Sequence, residues 1–250
     1  MVKNFLRVGN RFTFGFFTRN PFRYVTGYWR YFSDMRKYSK MAPGEITFSQ
    51  LEPVLNEWTP TSVVGSCYFY QDTWAARQIF KRKPQRHVDV GSTVLLVGIL
   101  SQAMPTASVD IRPVDAKLPG LEAIEGDVCH MPFPDNSVES LSSLCVIEHI
   151  GLGRYGDGLD PQGTDKAAAE LARVLAVGGE LYVSVPITPR SKTRFNGQRD
   201  FSVADFVAKF PTLKLLETSF ATDAGVHPES ALPSLGKVVF GLFRFTKEKA

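Results

Sequence analysis

Between residues 87 and 245, short apolar runs alternate with amphipathic stretches, the pattern of strands joined by crossover helices. The runs predict strands at His87–Val90, Ser108–Ile111, Glu122–Glu125, Val138–Cys145, Gly179–Val185, Leu213–Phe220 and Val238–Phe245. Between them, helices are predicted at Thr93–Ala103, Asp165–Ala176 and Val203–Phe210. Ser202 is placed to cap the last of these, with Asp205 at the capping-box position and Pro211 as its stop. Gly178–Gly179 is placed to end the helix before the fifth strand. The expectation is an α/β fold with a mostly parallel seven-stranded sheet and helices on both faces.

Residues 1–86 have a different texture. Up to Lys40, aromatic side chains interleave with basic ones, and Asn20–Pro21 breaks the segment before a helix expected over Phe22–Lys40. A second helix is expected over Thr73–Lys81, followed by a basic, proline-containing connector. The chain therefore divides into an arm and helical lead-in, 1–86, and a sheet-bearing domain, 87–250.

Charge sharpens that division. The chain carries a net +4, yet residues 1–40 hold nine Lys or Arg against the single acid Asp34. The basicity belongs to the arm, and three readings fit it: a solvated helix packed on the domain, an anionic lipid surface, or a nucleic acid. Nothing in residues 41–250 suggests a nucleic-acid channel. No apolar run approaches the ~20 residues needed to cross a bilayer, and Phe12–Phe17 is too short for a signal-peptide core, so cytoplasmic residence is expected. Cys67, Cys129 and Cys145 are few and scattered, which fits a reducing compartment and buried apolar roles, and no metal site is expected.

The candidate chemistry lies at strand ends. His-Val-Asp89-Val-Gly91-Ser92-Thr93 takes a strand through an acid and a glycine into a helix, where Ser92 or Thr93 can cap. Asp110, at the end of the second predicted strand, is placed to accept from ribose hydroxyls, and Arg112 beside it admits a 2′-phosphate. Asp127, with Val128, follows the third strand and can meet an exocyclic adenine amine. After the fourth strand come Glu148 and His149, candidates for a general base. The glycine-rich loop that follows carries Arg154, Tyr155 and Asp157, and after the fifth strand stand Asn196 and Arg199, all candidates for the acceptor side.

The series Asp89-Val-Gly91, Asp110, Gly126-Asp127, Pro132–Ser137 and Glu170–Gly179 resembles the class I S-adenosylmethionine-dependent methyltransferases. The resemblance implies a Rossmann-like fold over roughly 87–245, with S-adenosylmethionine as cofactor. It implies that Asp89 and Gly91 border the methionine part, that Asp110 holds ribose and that Asp127 lies near adenine. Tyr68–Arg77, Glu148–Asp157 and Phe195–Phe201 together resemble an uncharacterised bacterial methyltransferase-like family, formerly a domain of unknown function, whose members often accompany polysaccharide and glycosyltransferase genes. That likeness implies a sugar or glycan acceptor, with transfer to a hydroxyl oxygen. The chain departs from the superfamily in keeping one glycine of the usual two or three, since Ser92, Thr93 and Val94 follow Gly91. Two alternatives stay open: a degenerate methyltransferase fold serving as a binding or scaffold module, and an NADP-dependent oxidoreductase.

Overall fold

The structure, a computed structural model, describes residues 21–55, 57–62, 64, 67–231 and 239–249. The chain divides into two compact units, Met1–Val63 and Val64–Ala250. In the first, helix α1 (Pro21–Met41) brings Gly27 against Leu55, whose Cβ would stand 3.2 Å from any Cβ added at Gly27. The Arg30 guanidinium lies 4.2 Å over the ring of Trp58. A short 3-10 turn, Phe48–Gln50, is closed by the Gln50 side chain, which accepts from the backbone N–H of Thr47 at 2.7 Å. Residues 1–20 of the basic arm lie outside the described residues. No helix among the described residues is long and apolar enough to cross a membrane.

The second unit is an α/β sandwich. In chain order it contains α2 (Cys67–Arg82), β1 (His87–Val90), α3 (Val94–Ser101), β2 (Thr106–Asp110), β3 (Leu121–Glu125), β4 (Val138–Leu144) and α4 (Gly163–Val174). It continues with β5 (Leu175–Pro186), β6 (Lys192–Arg194), β7 (Gln198–Asp200), α5 (Val203–Val207), β8 (Lys214–Thr222), β9 (Gly225–Pro228) and β10 (Phe240–Thr246). The main sheet runs β3-β2-β1-β4-β5-β10-β8-β9. Strands β1 to β5 pair in parallel, while β10 is antiparallel to both β5 and β8. The order reverses between β1 and β4, and the carboxyl ends of strands at such a switch point open the crevice where ligands bind in doubly wound sheets.

Seven strands match the expected ones, and β9 adds an eighth at the edge of β8. Strand β2 begins at Thr106 and ends at Asp110, which leaves Ile111 beyond the strand. Helix α4 closes at Val174 rather than at the glycines, because Leu175 already takes an extended backbone as its C-cap. Gly178, at φ +77, falls inside the span of β5, where the β4–β5 register shifts between Val138 and Ser140. The short hairpin β6–β7 occupies the stretch expected as a loop, turning through Asn196 at φ +59.

Strand alternation sorts the core into two layers. One face of the sheet, with Leu144, Tyr182 and Leu242, packs against Trp74, Ala75 and Ile79 of α2 and Leu96 and Leu100 of α3. The opposite face, with Leu141, Leu181, Val183 and Phe243, packs against Ala167, Ala168 and Leu171 of α4 and Phe206 of α5. Helix α2, from the predicted lead-in, is thus a layer of the sheet domain. Ser202 caps α5 as expected, its Oγ accepting from the Asp205 N–H at 3.1 Å.

Candidate functional site

A cavity of about 570 Å³ opens at the carboxyl ends of β1, β2, β3 and β4, the size of a small-molecule or cofactor site. Gly91, Asp110, Arg112, Asp127, Val128, Val146, His149, Tyr155 and Asp157 are among the residues that line it. Of the sequence candidates, it therefore brings together Gly91, Asp110, Asp127, Val128, His149, Tyr155 and Asp157. Gly91 adopts φ +65, and a Cβ there would meet Val146 at 3.1 Å and Asp110 Oδ2 at 3.5 Å. The glycine is needed both for its backbone angle and to keep the cavity floor open. Asp110 Oδ1 accepts from the Arg112 N–H at 2.7 Å, and Asp127 Oδ1 from the Cys129 N–H at 2.8 Å. Asp127 Oδ2 stands 3.5 Å from His130 Nδ1.

Asp89 and Ser92 do not line the cavity. Asp89 is fully buried, and its Oδ1 accepts from the Ser92 N–H at 3.0 Å while Oδ2 accepts from Ser142 Oγ. Ser142 also stands 2.9 Å from His87 Nε2, and Ser140 stands 2.8 Å from His87 Nδ1. Burial holds His87 neutral, down at about 3, and pushes Asp89 up to about 6, with the hydrogen bonds from Ser142 and Ser92 pulling back. Ser92 Oγ in turn accepts from the Leu144 N–H at 3.0 Å. This buried network lashes the β1 turn to β4 from behind. The capping role falls to Thr93, whose Oγ1 accepts from the Leu96 N–H at 3.3 Å.

The other wall is built by the segment after β4. Cys145 leaves the strand at φ +54. Glu148 is fully buried, does not line the cavity, and its Oε2 has no hydrogen-bond partner among the described residues. Burial pushes its carboxyl up to about 8. His149 does line the cavity, with Nδ1 2.7 Å from the Gly197 carbonyl and Nε2 3.7 Å from Glu148 Oε1. Burial lowers its pKa, the Gly197 carbonyl opposing. The Tyr155 ring stands edge-on to His149 and has the Arg112 guanidinium at 4.6 Å and that of Arg154 at 5.1 Å. Asp157 holds the loop in shape. Burial opposes its ionisation, but the N–H groups of Tyr155, Gly151 and Gly153 outweigh that and keep it below the usual carboxylate range.

Arg154, Asn196 and Arg199 stand apart from the lining. Arg154 donates to the Gly197 carbonyl at 3.1 Å, and Asn196 is exposed at the β6–β7 turn. Arg199 Nη1 donates to the Ile150 carbonyl at 2.6 Å and to Thr164 Oγ1 at 3.2 Å, and Nη2 to the Asp160 carbonyl at 3.3 Å. It pins the loop to the start of α4. The sequence reading missed Gln71 and Asp72 of α2. Gln71 is fully buried and Asp72 accepts from Thr93 Oγ1 at 2.6 Å. Their signal was a polar residue on the apolar face that Cys67, Trp74, Ala75 and Ile79 mark out. Among the described residues, no group of three His, Cys, Asp or Glu is arranged to hold a metal ion.

Comparison with known structures matches this architecture. The chain is similar to the [4+2]-cyclase SpnF at 12% identity, covering 76% of this chain and 86% of that one with a TM-score of 0.56. It is similar to a TehB-like SAM-dependent methyltransferase from Corynebacterium glutamicum at 16% identity, covering 88% and 97% with a TM-score of 0.50. The fold is that of the class I S-adenosylmethionine-dependent methyltransferases. A family model described as a Caenorhabditis protein of unknown function, DUF268, matches residues 131–221. That span contains the Glu148–Asp157 and Phe195–Phe201 segments but not Tyr68–Arg77, and its description carries neither a bacterial nor a polysaccharide association. Among curated protein sequences, none matches.

Proposed function

We propose that the protein binds S-adenosylmethionine in the cavity beside β1 and β2 and transfers its methyl group to a hydroxyl oxygen, with a sugar or glycan as the acceptor class. The observation that carries this reading is the pairing of Gly91 and Asp110 across one cavity wall, a bare left-handed turn facing a strand-end carboxylate. The residues fit the cofactor. Asp110 would accept from both ribose hydroxyls, Asp127 and Val128 would border adenine, and Gly91 would let the chain pass the methionine part. Asp89 and Ser92 would serve by fixing the turn from behind. The bound cofactor would supply an electrophilic methyl on a sulfonium.

The protein's own contribution is then positioning and one proton transfer. The Gly197 carbonyl can only accept, so His149 carries its proton on Nδ1 and leaves Nε2 as the basic nitrogen. With its pKa lowered, the imidazole is neutral at pH 7 and able to take the acceptor's hydroxyl proton as the new C–O bond forms. Glu148, pushed to about 8, is mostly protonated at that pH and acts as a neutral neighbour of Nε2. Tyr155 closes the cavity over His149, and Arg154 and Arg199 hold the loops that place both. In the arm, α1 exposes Val25 and Trp29 in line with Arg36 and Lys40, a face suited to an anionic membrane surface. The glycan acceptor rests on the sequence resemblance alone.

The direct test is Asp110→Ala, titrated with S-adenosylhomocysteine. It should weaken binding by about 1–3 kcal/mol, the scale of buried polar partners left unmet. Unchanged affinity would remove Asp110 from the ribose site and with it the main support for this reading. SpnF, with the same fold, is a cyclase, so methyl transfer itself needs an assay of product and not the fold alone.

A further inference from the structure

The turn after β1 carries Ser92-Thr93-Val94 where the superfamily pattern would place more glycine, and Thr93 is the residue nearest to that missing freedom. Its hydroxyl is held from two sides. Thr93 Oγ1 accepts from the Leu96 N–H at 3.3 Å and donates to Asp72 Oδ2 at 2.6 Å. Those two bonds, one received and one given, fix χ1 of a β-branched side chain that has few rotamers to begin with.

The carboxylate that holds Thr93 is itself held. Gln71 Nε2 donates to Asp72 Oδ1 at 3.1 Å. Gln71 is fully buried, and its Oε1 accepts from Ser184 Oγ of β5 at 2.7 Å and from Cys145 Sγ at 3.0 Å. Cys145 lines the cavity and sits at φ +54, a backbone angle that costs a non-glycine residue energy and persists only when its surroundings impose it. One polar chain thus links β5, the strained exit of β4, α2 and the β1 turn.

We propose that Asp72 is a positioning residue for the cofactor, acting through Thr93: it turns the Thr93 side chain away from the ligand's path and so does the work that a glycine at 93 would do by having no side chain. This inference rests on the S-adenosylmethionine reading above. It gives α2 a function in the site and explains how a turn with one glycine stays open.

The test is a double-mutant cycle on the whole 250-residue chain, read by calorimetric titration with S-adenosylhomocysteine. Asp72→Ala should weaken binding about tenfold, a coupling of ordinary size for contacting residues. Thr93→Val, which removes the donor and leaves Asp72 in place, should weaken it by a similar factor and covers the case in which Asp72→Ala does not fold. Thr93→Gly should bind at least as well as the wild type, and adding Asp72→Ala to it should then change affinity less than about twofold. Equal losses in both backgrounds would mean that Asp72 touches the ligand or only supports the fold, and would overturn the proposal. So would unchanged affinity in Asp72→Ala and Thr93→Val. A wild type that binds no S-adenosylhomocysteine would remove the functional reading and this inference together, whereas binding without the Thr93 dependence would remove this inference alone.

Discussion

His149 Nδ1 lies 2.7 Å from the carbonyl oxygen of Gly197, so the β6–β7 hairpin decides which nitrogen of the candidate base is free. A carbonyl has no proton to give, and at 2.7 Å it outweighs the Arg154 Nη1 contact to the same nitrogen at 3.4 Å, so the imidazole donates through Nδ1 and keeps its lone pair on Nε2. The hairpin's short strands thus bear directly on the proposed chemistry.

That arrangement predicts the pH profile. The His149 pKa lies below its ordinary 6.5 because of burial, and the Glu148 carboxyl lies at about 8. A base works only when unprotonated. With His149 as base, the turnover rate should rise through an inflection below pH 6.5 and be flat by pH 7. With Glu148 as base, the rise would come near pH 8 instead. His149→Ala should lower turnover roughly a hundredfold or more, the usual scale of general-base catalysis, and leave cofactor affinity unchanged.

Glu148 should also leave a mark on stability. Its folded pKa of about 8 stands above the ordinary 4.5, so between those values the folded state holds a proton that the unfolded chain releases. Rising pH therefore favours unfolding. The stabilisation is complete below about pH 4.5 and gone above about pH 8. Glu148→Gln, which keeps the shape and cannot ionise, should melt at a higher temperature than the wild type at pH 9 and close to it at pH 5. A melting difference that is the same at both pH values would show that the carboxyl does not titrate in this way.

Arg199 binds carbonyls of Ile150, Asp160 and Pro161 and the Thr164 hydroxyl with one guanidinium. Arg199→Ala leaves several partly buried acceptors unmet and should cost about 2–3 kcal/mol in a denaturant melt. Amide exchange should quicken over residues 150–163 and stay unchanged in β1 and β2. Unchanged exchange in that loop would mean that the glycine-rich segment holds itself.

The strand positions and the helices on both faces were legible because apolar runs and crossover helices leave strong periodic signals, as Leu141, Leu181 and Val183 do in β4 and β5. The hairpin β6–β7 and strand β9 left none. Their residues are few and mostly solvent-facing, so no alternation marks them. In the site, Asp110 and Asp127 were readable as strand-end acids. Asp89 was readable too, but its direction was not. Period two puts it on the same face as His87, and the matching pair Ser140 and Ser142 on β4 is the clue that this face is a buried polar layer. Arg154 and Arg199 read as candidates for the acceptor side, because a lone sequence does not show the carbonyls that a fold will bring to a guanidinium. Asp72 was hidden for the opposite reason, since its partner Thr93 is 21 residues away.

Whether the cavity takes S-adenosylmethionine is decided by titrating the unmodified protein with S-adenosylhomocysteine. NADPH is the matched comparison, because Arg112 lines the same cavity and could meet a 2′-phosphate. S-adenosylhomocysteine should bind saturably at one site per chain, and NADPH should not bind. Tight NADPH binding with no S-adenosylhomocysteine binding would contradict it and assign the cavity to hydride chemistry.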